Sequence, residues 1–261
     1  MKIACVIPAR YASTRLPGKP LADIAGKPMI QRVYEQVSKA AVPDEVIVAT
    51  DDQRVFDAVA GFGGTAIMTK ANHLTGTDRL AEVAEARPDI DVIINVQGDE
   101  PLIAPDLIDS LGDLFRHDGE LKMATVGAPL GEAEYNEPSA VKVICNLKGQ
   151  AMYFSRSLIP YPRNAFVNAP LKHIGIYAYT RDFLLEFAKM EPTPAELTES
   201  LEQLRALENG IAIQVIKTEL VLSVSIRRKI WLLLMKFLKN RACKSKYIGF
   251  SIKILNLKCI I

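Results

Sequence analysis

Three apolar runs, Lys2–Ala9 (KIACVIPA), Glu45–Thr50 (EVIVAT) and Asp91–Gln97 (DVIINVQ), recur along the chain with amphipathic segments between them. Runs of this length, bounded by turn residues, fit strands buried on both faces of a parallel sheet. The intervening segments have helical spacing. Pro28–Ala40 opens with Pro in the first turn and places Met29, Ile30, Val33 and Val37 on one face. Asp51–Phe62, followed by Gly63 and Gly64, repeats the pattern, as do Thr77–Arg87 and Pro105–Phe115. This alternation predicts an α/β fold with a doubly wound, mostly parallel sheet, whose ligands sit beyond the carboxyl ends of the strands.

From Lys122 to Tyr179 the character changes. Lys122–Pro129, Ala140–Cys145 and His173–Tyr179 read as strands, with a Pro-rich connection at Ile159–Arg163. This predicts an inserted β-rich arm over about 120–180, covering the site or pairing with a second subunit. A helix is expected over Thr198–Glu208, ending at Asn209-Gly210.

The chain has 261 residues, 49% hydrophobic and 24% charged, which excludes disordered and low-complexity classes. Four scattered cysteines form no CxxC pair, which excludes a disulfide scaffold or structural zinc site and suits a reducing cytoplasm. No stretch reaches the roughly 18 apolar residues of a membrane span, so no membrane insertion is expected. The net charge of +2 hides a break in composition: all 30 Asp and Glu lie before residue 220, where the 32 Lys and Arg fall to 22, giving that body a formal charge of −8.

The first run leads into Ile7-Pro8-Ala9-Arg10-Tyr11-Ala12-Ser13-Thr14-Arg15-Leu16-Pro17-Gly18-Lys19-Pro20. Arg10, Arg15 and Lys19 in one loop, with Gly18 letting backbone approach closely, suit a triphosphate cradle. The spacing is neither GxGxxG nor GxxxxGK[ST], and a solvated basic loop is the plainer alternative. The run 91–97 leads into Gly98-Asp99-Glu100-Pro101. Asp99 is placed either to hold Mg²⁺ on nucleotide phosphates or to cap the helix that Pro105 begins. Asp51-Asp52 reads as a helix start. In Gly76-Thr77-Asp78-Arg79, Thr77 or Asp78 could cap a helix and Arg79 could be surface. His173, within an apolar run, reads first as a hydrogen-bonded core residue.

IPARYASTRLPGKPL, then TGTDRLAE, NVQGDEPLI, AVKVI, YFSRSLIPYPR, KHIGIYAY and ESLEQLRALENG, closely resembles the CMP-Kdo synthetases, the 3-deoxy-manno-octulosonate (Kdo) cytidylyltransferases. The motifs run in the family's order over about residues 3–216. The resemblance implies a nucleotide-diphospho-sugar transferase-like fold and transfer of CMP from CTP to Kdo with release of diphosphate, for lipopolysaccharide synthesis. It implies that Arg10, Arg15 and Lys19 embrace the triphosphate, with Pro8, Ala9, Thr75, Gly76, Arg79, Gln97 and Gly98 seating the nucleotide. Asp99 would ligate Mg²⁺, and Arg156, His173, Tyr177, Glu202 and Gln203 would line the sugar side. A cytoplasmic homodimer acting on small molecules, without nucleic acid, is implied as well. The alternatives are a cytidylyltransferase for sialic acid or amino-Kdo, and a CTP-binding protein without catalysis.

The resemblance gives residues 1–219 as the cytidylyltransferase domain and leaves 220–261 as an aberrant basic, apolar tail. The family continues with a GVDTPEDL-like segment, whose Asp is a second Mg²⁺ ligand. Here 220–232 reads LVLSVSIRRKIWL, without an acid. One synonymous coding of Val224–Trp231, shifted by two nucleotides, translates as Ile-Asp-Thr-Pro-Glu-Asp-Leu. A frameshift between about Ile216 and Val224 is therefore the expectation. The competing reading is a lipid-seeking interfacial helix over Arg227–Lys239.

Overall fold

A computed structural model describes residues 1–12 and 18–219. Arg15 and the tail 220–261 lie outside the described residues. The first apolar run forms β1 (Ile3–Pro8), and a single 3-10 turn at Lys19–Leu21 follows the first loop. A small hairpin, β2 (Asp23–Ile24) and β3 (Lys27–Pro28), leads into α1 (Met29–Val37). Then come β4 (Glu45–Thr50), α2 (Gln53–Gly61), β5 (Thr65–Met68), α3 (Gly76–Ala86), β6 (Val92–Asn95) and α4 (Pro105–His117). The rest comprises β7 (Met123–Pro129), β8 (Lys142–Cys145), β9 (Ala151–Ser155), β10 (Leu171–Thr180), α5 (Arg181–Phe187), α6 (Pro194–Glu199), α7 (Gln203–Glu208) and β11 (Ile213–Lys217).

The main sheet runs β11-β7-β10-β6-β1-β4-β5. Its pairs are parallel except where β10 enters antiparallel between β6 and β7. The alternation of side chains along β1 shows how it is wound on both faces. Ile3, Cys5 and Ile7 face α1, α2 and α4, whereas Ala4 and Val6 face α3, α5 and α7. With no exposure at any of these five positions, the strand has no polar residue to place and reads as a continuous apolar run.

Two expectations change. The strands 123–129 and 171–180 belong to the main run of the sheet, so the part branching from it is the β8–β9 hairpin, which joins the sheet through β10, and the connection to β10. The expected helix Thr198–Glu208 is broken: Ser200 is left-handed at φ 52°, ending α6, and α7 starts at Gln203. Carbonyls that a continuous helix would use are taken by Arg156, which donates to the oxygens of Glu199 and Ser200.

A cleft at the carboxyl ends of β1 and β6

The ends of β1, β4 and β6 are tied together before any ligand is considered. Ala9 N–H donates to Ala49 O at 2.8 Å, the Thr50 hydroxyl donates to Ala9 O at 2.7 Å, and Val96 N–H donates to Val6 O at 3.1 Å. Gly98 completes the join, because a Cβ there would lie 2.8 Å from the Pro8 carbonyl oxygen. The base of the first loop is closed by Gly18 N–H donating to Tyr11 O at 2.9 Å, with Gly18 at φ 72°.

A cleft of about 310 Å³ opens here, lined by Pro8, Ala9, Arg10, Lys19, Gln97, Gly98 and Asp99 among others. Seven expected nucleotide-side residues, distant in sequence, thus share one wall. Lys19 and Asp99 form an ion pair across it. The helix-capping alternative for Asp99 falls away, since Ala104 is the N-cap residue of α4 and no side chain caps it. Next to Asp99, the Glu100 carboxyl is pushed up to about 7 by burial, with the Asp99 charge adding to the effect.

Thr75 and Gly76 begin α3. Thr75 accepts from Asp78 N–H and Asp78 accepts from Thr75 N–H, a complete capping box, so Thr75 is the cap. A Cβ on Gly76 would meet the Pro8 ring at 3.9 Å, which sets this helix start against the end of β1. Arg79 lies elsewhere. It is 0% exposed, and its guanidinium is held by Asp51 at 3.0 Å and by the Thr69 hydroxyl. It is neither on the surface nor in the cleft wall, and it ties together the residues that follow β4 and β5.

Of the expected sugar-side residues, Glu202 meets α3 directly. Thr77 donates to Glu202 Oε2 at 2.5 Å. Glu202 also lines a depression of about 330 Å³ with Thr75, Glu196 and Ser200. Burial raises the Glu202 pKa, while the Thr77 hydrogen bond pulls the other way. Glu202 Oε1 and Gln203 Nε2 are buried and have no hydrogen-bond partner among the described residues. Tyr177 stacks on Tyr179 at 5.9 Å and packs against His173 at 5.3 Å. Burial lowers the His173 pKa to about 3. The Thr125 hydroxyl donates to the Ile176 carbonyl at 2.8 Å, and its oxygen lies 3.1 Å from His173 Nε2. Arg156 does not open onto the depression's polar atoms but spends its guanidinium on the carbonyls of Pro138, Glu199 and Ser200.

Asn95 was not singled out from the sequence. It closes β6 opposite Tyr177, is 5% exposed, and its Oδ1 has no partner among the described residues. The available signal was a lone amide ending an otherwise apolar strand (VIIN). Lys142, Glu199 and Ser200 fall within AVKVI and ESLEQLRALENG but were given no role from the sequence.

A cytidylyltransferase family model matches residues 4–217. The 3-deoxy-manno-octulosonate cytidylyltransferase of Geobacter metallireducens is 54% identical over 230 residues, covering 84% of this chain and 90% of that protein. The protein of the same name from Fusobacterium nucleatum is 52% identical over 219 residues, covering 84% and 89%. A solved structure of CMP:2-keto-3-deoxy-manno-octonic acid synthetase complexed with CTP superposes with a TM-score of 0.86 at 48% identity, covering 91% of this chain and all of that one. The 4-diphosphocytidyl-2C-methyl-D-erythritol synthase of Anaerococcus prevotii, with a TM-score of 0.60 at 13% identity and coverage of 91% and 96%, shares the fold. Fold and cleft together define a nucleotidyltransferase of nucleotide-diphospho-sugar transferase-like architecture. Within that class, the chain belongs to the cytidylyltransferase family, among the 3-deoxy-manno-octulosonate cytidylyltransferases.

Proposed function

We propose that this chain transfers CMP from CTP to Kdo, releasing diphosphate, in the cytoplasm and for lipopolysaccharide synthesis. The observation that carries the reading is the convergence of Arg10, Lys19, Gln97, Gly98 and Asp99 on one cleft, in a chain more than half identical to relatives of that name. A sugar hydroxyl attacking the α-phosphorus needs in-line placement, and the leaving diphosphate needs its charge offset. Arg10 and Lys19 supply cations on the nucleotide side. Glu202 Oε1 supplies an acceptor and Gln203 Nε2 a donor for sugar hydroxyls, beside a neutral His173. Arg15 belongs to the same reading, though it lies outside the described residues.

Mg²⁺ fits the donor set. Asp99 offers a hard carboxylate that lines the cleft, where it now pairs with Lys19. Mg²⁺ characteristically uses one or two carboxylates with phosphate oxygens and water. Asp99 would hold it, and the metal would offset charge on the departing diphosphate.

The test is diphosphate release from CTP, Kdo and Mg²⁺ by the purified chain, with sialic acid and amino-Kdo as comparison sugars. Kdo-dependent release is expected, and release that ignores Kdo or favours sialic acid would overturn the reading. We also propose a homodimer through the β8–β9 hairpin and the connection to β10, where Leu147, Met152, Tyr161 and Val167 are all exposed. Sedimentation equilibrium giving a monomer at micromolar concentration would refute it.

The tail 220–261 lies outside the described residues, and we propose that it is read out of frame. The family model ends at residue 217, beside the break in composition. Sequencing the gene across codons 216–232 tests this: an alternate frame without the IDTPEDL coding would defeat it. Among the described residues no helix is long and apolar enough to cross a membrane.

A further inference from the structure

Glu202 and Gln203 sit just past a kink that their own sequence does not favour. Ser200 carries a Cβ yet is held at φ 52° and ψ 51°, where side chains are crowded. Four hydrogen bonds from the end of β9 hold it there. Arg156 Nε donates to Glu199 O at 2.7 Å and Arg156 Nη2 donates to Ser200 O at 3.2 Å. In return, the Glu199 carboxylate accepts from the Ser155 hydroxyl at 2.6 Å and from Arg156 N–H at 3.0 Å. Behind them Lys142, with no exposed surface, donates to Arg156 O at 2.9 Å and Glu137 O at 2.8 Å. Arg156 Nη1 completes the set by donating to Pro138 O at 3.1 Å.

We infer that Ser155, Arg156 and Glu199, backed by Lys142, form a positioning clamp that fixes the α6–α7 kink and thereby aims Glu202 and Gln203 at the sugar. The inference rests on the reading of the site as a Kdo site. Arg156 is then a positioning residue and makes no contact with substrate. The chemistry of the clamp supports this. Three of the guanidinium's five N–H groups, one on each nitrogen, are held by carbonyl oxygens, and Glu199 has both carboxylate oxygens engaged. Glu202 is gripped by Thr77 at Oε2, so the kink and α3 together fix a carboxylate whose buried Oε1 has no hydrogen-bond partner among the described residues and faces only the Arg205 guanidinium at 3.8 Å.

The test uses the full chain and the variants Arg156→Lys, Glu199→Gln, their double, and Arg156→Lys combined with Ser200→Gly. The readouts are amide hydrogen exchange and calorimetric binding of CTP and of Kdo. Arg156→Lys and Glu199→Gln are each expected to speed exchange over residues 199–205 and to weaken Kdo binding about tenfold, with CTP binding unchanged within about twofold. The double variant should be no worse than the weaker single, because both act through one kink. Ser200→Gly takes a left-handed φ without penalty and should restore Kdo affinity in the Arg156→Lys background. Additive losses without rescue would mean that Arg156 touches the sugar itself and would overturn the clamp. Unchanged exchange with normal Kdo binding, or a parallel fall in CTP affinity, would overturn it as well. A parent chain that binds CTP but no Kdo would instead overturn the functional reading, and with it the clamp's purpose, while faster exchange in the variants would still show that the clamp sets the kink.

Discussion

Gly98 leaves no space for a side chain where β6 meets β1. Gly98→Ala would press a methyl against the Pro8 carbonyl, and moving that strand end moves Arg10 and Asp99 with it. The expected result is a loss of about 1–3 kcal/mol in stability and a KM for CTP raised about tenfold, read by thermal unfolding and initial rates. His173 makes a pH prediction. Its folded pKa, about 3, lies below the ordinary 6.5, so the folded protein binds fewer protons than the unfolded chain between those values. The stability it contributes is present above pH 6.5 and is lost as pH falls towards 3. His173→Gln should flatten the acid side of the stability–pH curve, by about 2 kcal/mol between pH 6.5 and 5; an unchanged curve would contradict the buried neutral imidazole. At this scale the sequence was informative where chemistry follows strand ends, as at Asp99. It misled at Arg79, whose motif sits beside the nucleotide side while its guanidinium turns inward to Asp51, because burial of a charged group depends on a partner 28 positions away.

Helix α3 shows how a local signal and a functional position coincide. Its capping box satisfies backbone N–H groups at the point where the chain passes Pro8 and approaches the sugar-side depression. Thr75→Ala should cost about 1 kcal/mol, visible as a lowered Tm, and a Tm equal to the parent's would argue against the cap. Elements with strong periodicity or uninterrupted apolar runs were legible: β1, β4, β6, α1, α2, α3 and α4 fall within their expected spans give or take a few residues. The short strand β5 (TAIM) and β11 were not, since each owes its strand state to its neighbour in the sheet rather than to a pattern of its own. The α6–α7 break was illegible for a related reason. ESLEQLR has good helical spacing, and the groups that interrupt it come from Ser155 and Arg156, more than forty positions earlier. Likewise, the placement of β7 and β10 inside the main sheet is a matter of long-range pairing, on which local composition is silent.

For the whole molecule, the proposed nucleotide side is built on the ends of β1 and β6 and the proposed sugar side on β10 and the helices after it. The out-of-frame reading of the tail makes a prediction at this scale. Replacing residues 220–261 with the alternate-frame sequence should raise Mg²⁺-dependent diphosphate release at least tenfold, because on that reading it restores the acid that the resemblance implies as a second metal ligand. Equal turnover by the two chains would show that Asp99 suffices.

The antiparallel entry of β10 between β6 and β7 also bears on how the chain is made. As the protein leaves the ribosome, β1, β4, β5 and β6 can pair among themselves, but β6 then presents a bare edge until Leu171–Thr180 has been synthesised. That interval spans about 80 residues, which at roughly 5–20 residues per second is on the order of several seconds. During it, β7 already exists and is apolar, and it must be kept from the place that β10 will fill. Newly made chains in this window are the stage most open to mispairing with one another, because an unpaired strand edge is a template for association.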